Sequence, residues 1–288
     1  MNKTLIIGEL IFDNHFLLKK IGKSLETNTP KFQIEKFSSN FGGAGHVYNE
    51  LKKLNNNKNL IFFTKNNNKQ YSITDKNIIA INSNEKNIYK NRYWLKNKKI
   101  IQINDDNYKK TTEQIKIFNK LKFLLNNKKK INKIIISDYN NGLIFQKLID
   151  KIIKHSKNKK VKLLVDTQVR KVEEIKNFYN VDYFFMNENE KKLYLKKYCC
   201  KNLKELMKKK NIKNIILKKA KRGVEILGKN NLKIKGIIGK KVIDEAGAGD
   251  TFLANFTYSM DKFNIKNCLI KSNKAAYKSI TESKEYVR

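Results

Sequence analysis

Residues 133–166 read KIIISDYNNGLIFQKLIDKIIKHSKNKKVKLLVD, and this stretch decides the fold class. It begins and ends with short apolar runs, KIIIS (133–137) and KLLVD (162–166), which are typical of strands buried on both faces of a parallel sheet. Between the runs, apolar residues recur at helical spacing: Leu143, Leu148, Ile149, Ile152 and Ile153. A strand, a helix and a second strand in this order predict a βαβ unit.

Similar apolar runs occur on both sides of this stretch: TLIIG (4–8), NLIFF (59–63), DYFFM (182–186) and NIILK (214–218). They alternate with segments of helical spacing, as they do in layered α/β folds. The sequence therefore predicts an α/β fold with a mostly parallel sheet and helices on both of its faces.

Two segments depart from this alternation. FQIEKFS (32–38) and YKNRYWLKNKKIIQI (89–103) alternate apolar and polar residues, and the second contains a turn-like KNKK. Alternation of this kind is typical of half-exposed antiparallel strands. We therefore expect a small β flap beside the main sheet, with strands within about residues 14–38 and 88–105, and a single domain over residues 1–288.

The charge of the chain is strongly positive, with 63 Lys and Arg against 26 Asp and Glu, a formal net charge of +37. Nearly all of this excess is lysine among asparagines, whereas base reading and bidentate phosphate contacts favour arginine. We therefore expect no specific nucleic-acid partner. No apolar run approaches the ~20 residues of a membrane-spanning helix, so we expect a cytoplasmic protein without a membrane contact. Three cysteines without a C-x-x-C spacing indicate neither a disulfide framework nor a zinc site.

The segment VIDEAGAGDTFLANF (242–256) carries the strongest chemical signal. Gly247, Ala248 and Gly249 precede Asp250 and a helix-compatible apolar run. Small residues let consecutive N–H groups point at one spot beside the positive end of a helix, which makes an anion hole. A carboxylate in the first turn of that helix is placed to take a proton from an attacking hydroxyl. An ordinary glycine-rich turn capped by Asp250 is the alternative.

A second glycine-rich segment, SNFGGAGHVYNEL (39–51), leads into another apolar helix pattern. It does not fit a dinucleotide fingerprint, because Tyr48 stands where the third glycine would be needed, and the chain contains no P-loop motif. The pair Gly42 and Gly43 instead allows a flat ligand to approach the backbone closely.

Together these segments resemble the ribokinase-like (PfkB-type) sugar kinases. Seven motifs occur in the order of that family: Gly8 to Asp13, GGAGHV (42–47), SDYNNGLI (137–144), LLVD (163–166), NENE (187–190), LKKAKRGVEIL (217–227) and DEAGAGD (244–250). Residues 22–32, 90–105 and SDYNNG are most similar to the kinase half of the bifunctional heptose-7-phosphate kinase/heptose-1-phosphate adenylyltransferase.

The resemblance implies a set of nucleotide contacts. Asp250 is then the catalytic base, and the amides of Ala248, Gly249 and Asp250 hold the transferring phosphoryl group. Further ATP or phosphate contacts fall on Gly247, Asn187, Glu190, Lys218, Gly223 and Asn273. Glu190 would hold Mg²⁺ through water, which suits a cation that keeps most of its hydration shell. A loop that merely caps a helix is the alternative for Asn187 and Glu190.

On the acceptor side, the resemblance implies sugar contacts by Asp13, Gly42, Gly43, His46, Arg92 and Asp138. Arg92 is one of only four arginines and would suit a phosphate at the far end of the acceptor. Asp138 could equally be a structural turn residue, and Asp13 a solvated carboxylate at a strand end.

The expected reaction is transfer of phosphate from ATP, with Mg²⁺, to the anomeric hydroxyl of a sugar phosphate such as D-glycero-D-manno-heptose 7-phosphate. A homodimer that forms through the β flap is a further possibility that the resemblance leaves open. Departures from the family pattern keep other functions open: Glu245, Ala246, His46, Asn141, Lys218 and Asn255. The alternatives are a kinase of a plain sugar or a nucleoside, and a weakly active or inactive ribokinase-like binding protein.

Overall fold

The computed structural model describes residues 3–56, 59–105, 111–127, 130–229 and 231–282. Within these ranges the strands are β1 (Lys3–Gly8), β2 (Leu10–Lys23), β3 (Pro30–Gly43), β4 (Leu60–Asn66), β5 (Ile78–Asn82), β6 (Ile88–Leu95), β7 (Lys98–Asp105), β8 (Ile131–Asp138), β9 (Lys162–Thr167), β10 (Tyr183–Asn187), β11 (Asn214–Lys218), β12 (Val224–Leu227) and β13 (Leu232–Ile234). The helices are α1 (Ala44–Leu54), α2 (Gln114–Asn126), α3 (Gln146–Lys159), α4 (Glu188–Lys197), α5 (Leu203–Lys210), α6 (Ala248–Ser259) and α7 (Ile265–Thr281). No helix in these ranges is both long and apolar enough to cross a bilayer.

The main sheet has the strand order β13-β12-β11-β10-β9-β8-β1-β4-β5. All pairs from β11 to β5 are parallel, and β12 and β13 add an antiparallel edge. The stretch that decides the fold class forms β8, α3 and β9, and β8 and β9 are adjacent and parallel. The predicted α/β class with a mostly parallel sheet is therefore confirmed.

The central strands are buried on both faces because successive side chains point to opposite sides. In β8, Ile134 and Ile136 face one core while Ile135 faces the other. The first core packs against α2, α3, α4 and α5, and the second packs against α1, α6 and α7. This two-sided burial explains why the strands read as continuous apolar runs.

Four strands form the β flap, in the order β3-β2-β6-β7. β2 pairs with β3, and β6 with β7, in antiparallel hairpins; the turn between β6 and β7 places Lys96 at a φ of 53°. The prediction of antiparallel strands is wrong for the central pair, because β2 and β6 run parallel from Ile11 beside Ile88 to Leu18 beside Leu95. The two hairpins come from distant parts of the chain, so no local pattern specifies how they join.

The flap also contacts the loop before α6. The Lys99 amine in β7 donates to Oδ1 of Asp244 at 3.3 Å, and the Asp244 carboxylate is almost fully buried. The same oxygen accepts from the backbone N–H of Ala246 at 3.2 Å. The flap and the glycine-rich loop are therefore joined by one buried carboxylate.

Candidate active site

Polar side chains gather at the carboxyl ends of the parallel strands. Glu9 follows β1, Asp138 ends β8, Asp166 lies near the end of β9, and Asn187 and Lys218 end β10 and β11. In open α/β sheets this edge is where ligands bind. The first turn of α6 lies at the same edge, since a Cβ atom placed on Gly249 would lie 3.4 Å from the amine of Lys218.

The start of α6 has the geometry of an anion hole. Gly247 is the N-cap, with a left-handed φ of 82°, and it offers no side-chain cap. The N–H of Thr251 donates to the carbonyl of Gly247 at 2.9 Å, and the N–H of Ala248 donates to the carbonyl of Glu245 at 3.4 Å. The N–H groups of Gly249 and Asp250 lie between them in the first turn, where a helix has no acceptor of its own for them. Glu245, whose carboxylate would repel a phosphate, is exposed.

Asp250 lies in this first turn and is 8% exposed. Burial is the main reason why its pKa is raised from 3.8 to about 7; a hydrogen bond from Tyr139 acts in the opposite direction. The Tyr139 hydroxyl donates to Oδ1 of Asp250 at 2.6 Å. A carboxylate with a pKa near neutrality is suited to accept a proton from an alcohol.

Tyr139 is a functional candidate that the sequence analysis missed. Glu9, itself 1% exposed, holds the loop of Tyr139 by accepting from the backbone N–H groups of Tyr139 at 2.9 Å and Asn141 at 3.3 Å. Burial raises the pKa of Glu9 to about 7. The available signal was the tyrosine inside SDYNNG, which only the fold brings next to Asp250.

A cavity of about 560 Å³ opens between the flap and α6. Its lining includes Asp250 and Gly247 on one side and three of the predicted acceptor contacts: Asp13, His46 and Arg92. His46 Nε2 lies 3.2 Å from the hydroxyl of Thr251 in α6. The structure therefore brings the candidate base and these three side chains into one space.

Arg92 is not an open cation in this cavity. Its guanidinium forms an ion pair with Oδ1 of Asp13, and the side chains of Arg92 and Asp13 are 6% and 21% exposed. Gly42 makes room for this pair, because a Cβ atom there would lie 2.4 Å from Oδ2 of Asp13. Gly43, the N-cap of α1, has a φ of 59°. Gly42 thus makes room for Asp13, whereas Gly43 packs against Glu9 and Ile11, and neither glycine is among the residues that line the cavity.

Asp138 lies behind the cavity, and a direct contact with the sugar stays a prediction. It is 1% exposed and is not among the residues that line the cavity. One carboxylate oxygen accepts from the N–H of Asn140 at 2.9 Å and the other from the amine of Lys176 at 2.6 Å. This geometry is that of the structural turn residue that the sequence left as the alternative.

On the nucleotide side, Asn187 and Glu190 form a capping box at the start of α4. The Asn187 side chain accepts from the N–H of Glu190 at 2.9 Å, and Glu190 accepts from the N–H of Asn187 at 2.7 Å. Burial raises the pKa of Glu190 to about 7. The capping alternative is therefore realised, and the role of Glu190 toward Mg²⁺ stays a prediction.

The other predicted nucleotide contacts lie at the same side of the sheet. Gly223 has a φ of 94°, and a Cβ there would lie 2.1 Å from the carbonyl oxygen of Ile234. Asn273 in α7 donates to the carbonyl of Lys235 at 3.1 Å. These contacts bring α7 and the β12–β13 edge together, and a direct contact with the nucleotide stays a prediction for both residues.

The residues at this edge fit a nucleotide phosphate better than a protein-built metal cage. The uncapped start of α6 and the Lys218 amine lie side by side, which suits an anion. Across the residues that the structure describes, no group of three or more His, Cys, Asp or Glu side chains could hold a metal. Mg²⁺ usually binds phosphates and water with only one or two carboxylates, so Glu190 would be sufficient.

Comparison with known proteins identifies relatives of this chain. A family model described as pfkB family carbohydrate kinase matches residues 1–286. The bifunctional protein HldE of Aliarcobacter butzleri is 27% identical, with 94% of this chain and 59% of that protein covered. HldE of Helicobacter pylori strain J99 is 28% identical, with 96% and 62% covered. The chain therefore spans 59% and 62% of the length of these two relatives.

Solved structures give the same fold. A nucleoside kinase of Methanocaldococcus jannaschii, described as an archaeal member of the ribokinase family, has a TM-score of 0.64 at 18% identity, with 100% of this chain and 94% of that chain covered. Arabidopsis thaliana ribokinase complexed with ribose and ATP has a TM-score of 0.62 at 12% identity, with 99% and 95% covered. These structures confirm the predicted ribokinase-like fold. The matches to HldE proteins confirm the resemblance to the bifunctional heptose enzyme. With the family model spanning residues 1–286, this chain belongs to the pfkB family of carbohydrate kinases.

Proposed function

We propose that the protein phosphorylates the anomeric hydroxyl of a sugar phosphate of the D-glycero-D-manno-heptose 7-phosphate type. The observation that carries the proposal is that Asp250 and Arg92 line the same cavity. Asp250 lies in the first turn of α6, and Arg92 lies on strand β6 of the flap. A carboxylate base and a guanidinium facing one space suit an acceptor with a hydroxyl at one end and an anion at the other. The similarity to HldE proteins supports a heptose as the sugar.

In this mechanism the acceptor hydroxyl gives its proton to the Asp250 carboxylate as its oxygen attacks the γ-phosphorus of ATP. The N–H groups at the start of α6 stabilise the charge on the transferring phosphoryl group, and ADP leaves. Tyr139 orients Asp250 through its hydrogen bond to Oδ1. Glu190 is the residue that would hold Mg²⁺ through water, and Mg²⁺ would supply charge neutralisation at the phosphates when bound.

One observation favours a second candidate, a kinase of a neutral sugar. The Arg92 guanidinium is already paired with Asp13, so an acceptor phosphate must compete with a carboxylate for it. In this alternative, Asp13 binds sugar hydroxyls and Arg92 holds Asp13 in place.

A screen of ADP release with Mg²⁺ separates the two candidates. We expect kcat/KM for heptose 7-phosphate to exceed that for the unphosphorylated heptose by about tenfold or more, the effect of one charge-assisted hydrogen bond. Fructose 6-phosphate is the control for a different phosphorylated sugar. A nucleoside is the control for the nucleoside kinases that share this fold. A preference for the neutral heptose would support the second candidate, and no turnover with any acceptor would support a binding protein.

The outer face of the flap supports the proposed homodimer. The Phe16 ring packs 5.0 Å from the Phe37 ring and 4.8 Å from the Tyr93 ring, opposite the cavity face that carries His15 and Arg92. Phe37 is nevertheless 55% exposed, and Ile101 beside Tyr93 is 52% exposed. Contiguous exposed apolar surface of this kind is typical of an interaction face.

We expect sedimentation velocity to show a dimer that the Phe37→Asp substitution converts to monomer, because a buried charge opposes association. The matched control is Phe123→Asp, on the exposed side of α2 away from the flap, which leaves the dimer unchanged. A wild-type monomer at micromolar concentration would refute the interface.

A further inference from the structure

The Lys218 side chain lies against the start of α6. Its amine donates to both carboxylate oxygens of Asp166, at 3.0 and 2.7 Å. A Cβ atom placed on Gly249 would lie 3.4 Å from the same amine. The amine is therefore between a carboxylate and the first-turn backbone of the anion hole, and the side chain keeps 21% of its surface exposed.

The surroundings of Lys218 keep its amine charged. The Asp166 carboxylate, whose oxygens lie 3.0 and 2.7 Å from the amine, favours the protonated form of Lys218. A protonated amine next to helix N–H groups reinforces their attraction for an anion.

We propose that the Lys218 amine contacts the transferring γ-phosphoryl group of ATP and acts as a fixed cation that shares with Mg²⁺ the neutralisation of its charge. This inference rests on the proposed kinase function. In the step concerned, the acceptor oxygen forms a bond to the γ-phosphorus while its proton passes to Asp250. The bond from the γ-phosphorus to the bridging oxygen breaks, and its electron pair leaves with ADP. Lys218 remains protonated throughout.

The test is nucleotide binding without metal, measured by calorimetry in excess EDTA. We expect the wild-type protein to bind the β,γ-imido analogue of ATP more tightly than ADP, because the analogue has the group that Lys218 contacts. The double variant Asp166→Asn, Lys218→Met removes the pair without leaving a buried unpaired carboxylate. In it we expect the affinity for the analogue to fall about tenfold or more, and the affinity for ADP to change less than about twofold.

Two variants serve as controls. Asp166→Asn alone keeps the cation and should keep the preference for the analogue. Lys219→Met removes the next lysine, which pairs with Glu225, and should change neither affinity. Thermal unfolding of each variant verifies that it is folded, and Lys218→Arg, which keeps the charge, should retain most of the preference if the methionine variant fails to fold.

The outcome is decisive in either direction. Equal losses for the analogue and ADP, or no loss for either, would overturn a contact with the γ-phosphoryl group. Because the measurement requires no acceptor, it is independent of the proposed acceptor. If the protein phosphorylates a sugar phosphate but its affinity for the analogue does not change when Lys218 is replaced, the proposed function stands and only this inference is refuted.

Discussion

Replacing Asp250 by Asn is expected to lower kcat by about 10²–10⁴-fold, the contribution of a positioned general base. The amide is nearly isosteric but cannot take the proton of the acceptor hydroxyl. Nucleotide affinity should be largely kept, because the backbone N–H groups at the start of α6 are unchanged. Steady-state kinetics and calorimetric titration with ADP measure the two effects separately. A variant that retains more than about a tenth of the wild-type kcat would contradict a base role.

The pH dependence of kcat/KM tests the role of the Asp250 carboxylate without replacing it. Asp250 acts as a base only when it is ionised, so kcat/KM should fall as the pH is lowered through its pKa of about 7. The Tyr139 hydrogen bond favours the ionised form, and Tyr139→Phe should therefore move the acid limb to higher pH. An acid limb that the Tyr139→Phe variant leaves in place would show that another group controls it.

Replacing Arg92 by Ala is expected to destabilise the protein by about 3 kcal/mol, because it leaves Asp13 without its partner in a largely buried pair. It should also lower kcat/KM for both acceptors, since Asp13 lines the cavity and loses the guanidinium that holds it, and by about tenfold more for the phosphorylated acceptor, whose anion binds Arg92 in the proposed function. A larger loss for the phosphorylated acceptor would measure the additional phosphate contact of Arg92. Denaturant unfolding and acceptor kinetics give the two quantities.

The matched control is Lys86→Ala, which breaks an exposed ion pair with Asp105 at the edge of the flap. Exposed pairs contribute about 0–1 kcal/mol, so this variant should be nearly as stable as the wild type and fully active. Similar unfolding free energies for the Arg92→Ala and Lys86→Ala variants would contradict a stabilising role for the buried pair.

The sequence predicted those features that short segments specify. KIIIS and KLLVD predicted two parallel strands because residues buried on both faces must all be apolar, and DEAGAGD predicted the turn before α6 because small residues permit it. The pairing of Arg92 with Asp13 was not predictable, since it joins side chains 79 residues apart across two parallel flap strands. The Tyr139 contact with Asp250 spans 111 residues and was missed for the same reason. Whether Asp138 faces the sugar or holds a turn depends on Lys176, a residue that no motif contains.

The parallel junction of β2 and β6 also bears on how the protein reaches its folded state. Such a junction has a high contact order: the two hairpins can pair only when the long segment between them closes into a loop, and the entropic cost of this closure makes long-range pairing slow. Trp94, the single tryptophan of the chain, is fully buried in β6, and its indole N–H donates to Nδ1 of His15 in β2 at 3.1 Å. Its fluorescence during refolding therefore reports when the two hairpins join, and we expect that signal to lag behind the recovery of helical circular dichroism. The acceptor cavity is then among the last parts of the molecule to form, and the newly made chain passes through a stage in which the parallel sheet exists but a sugar has no place to bind.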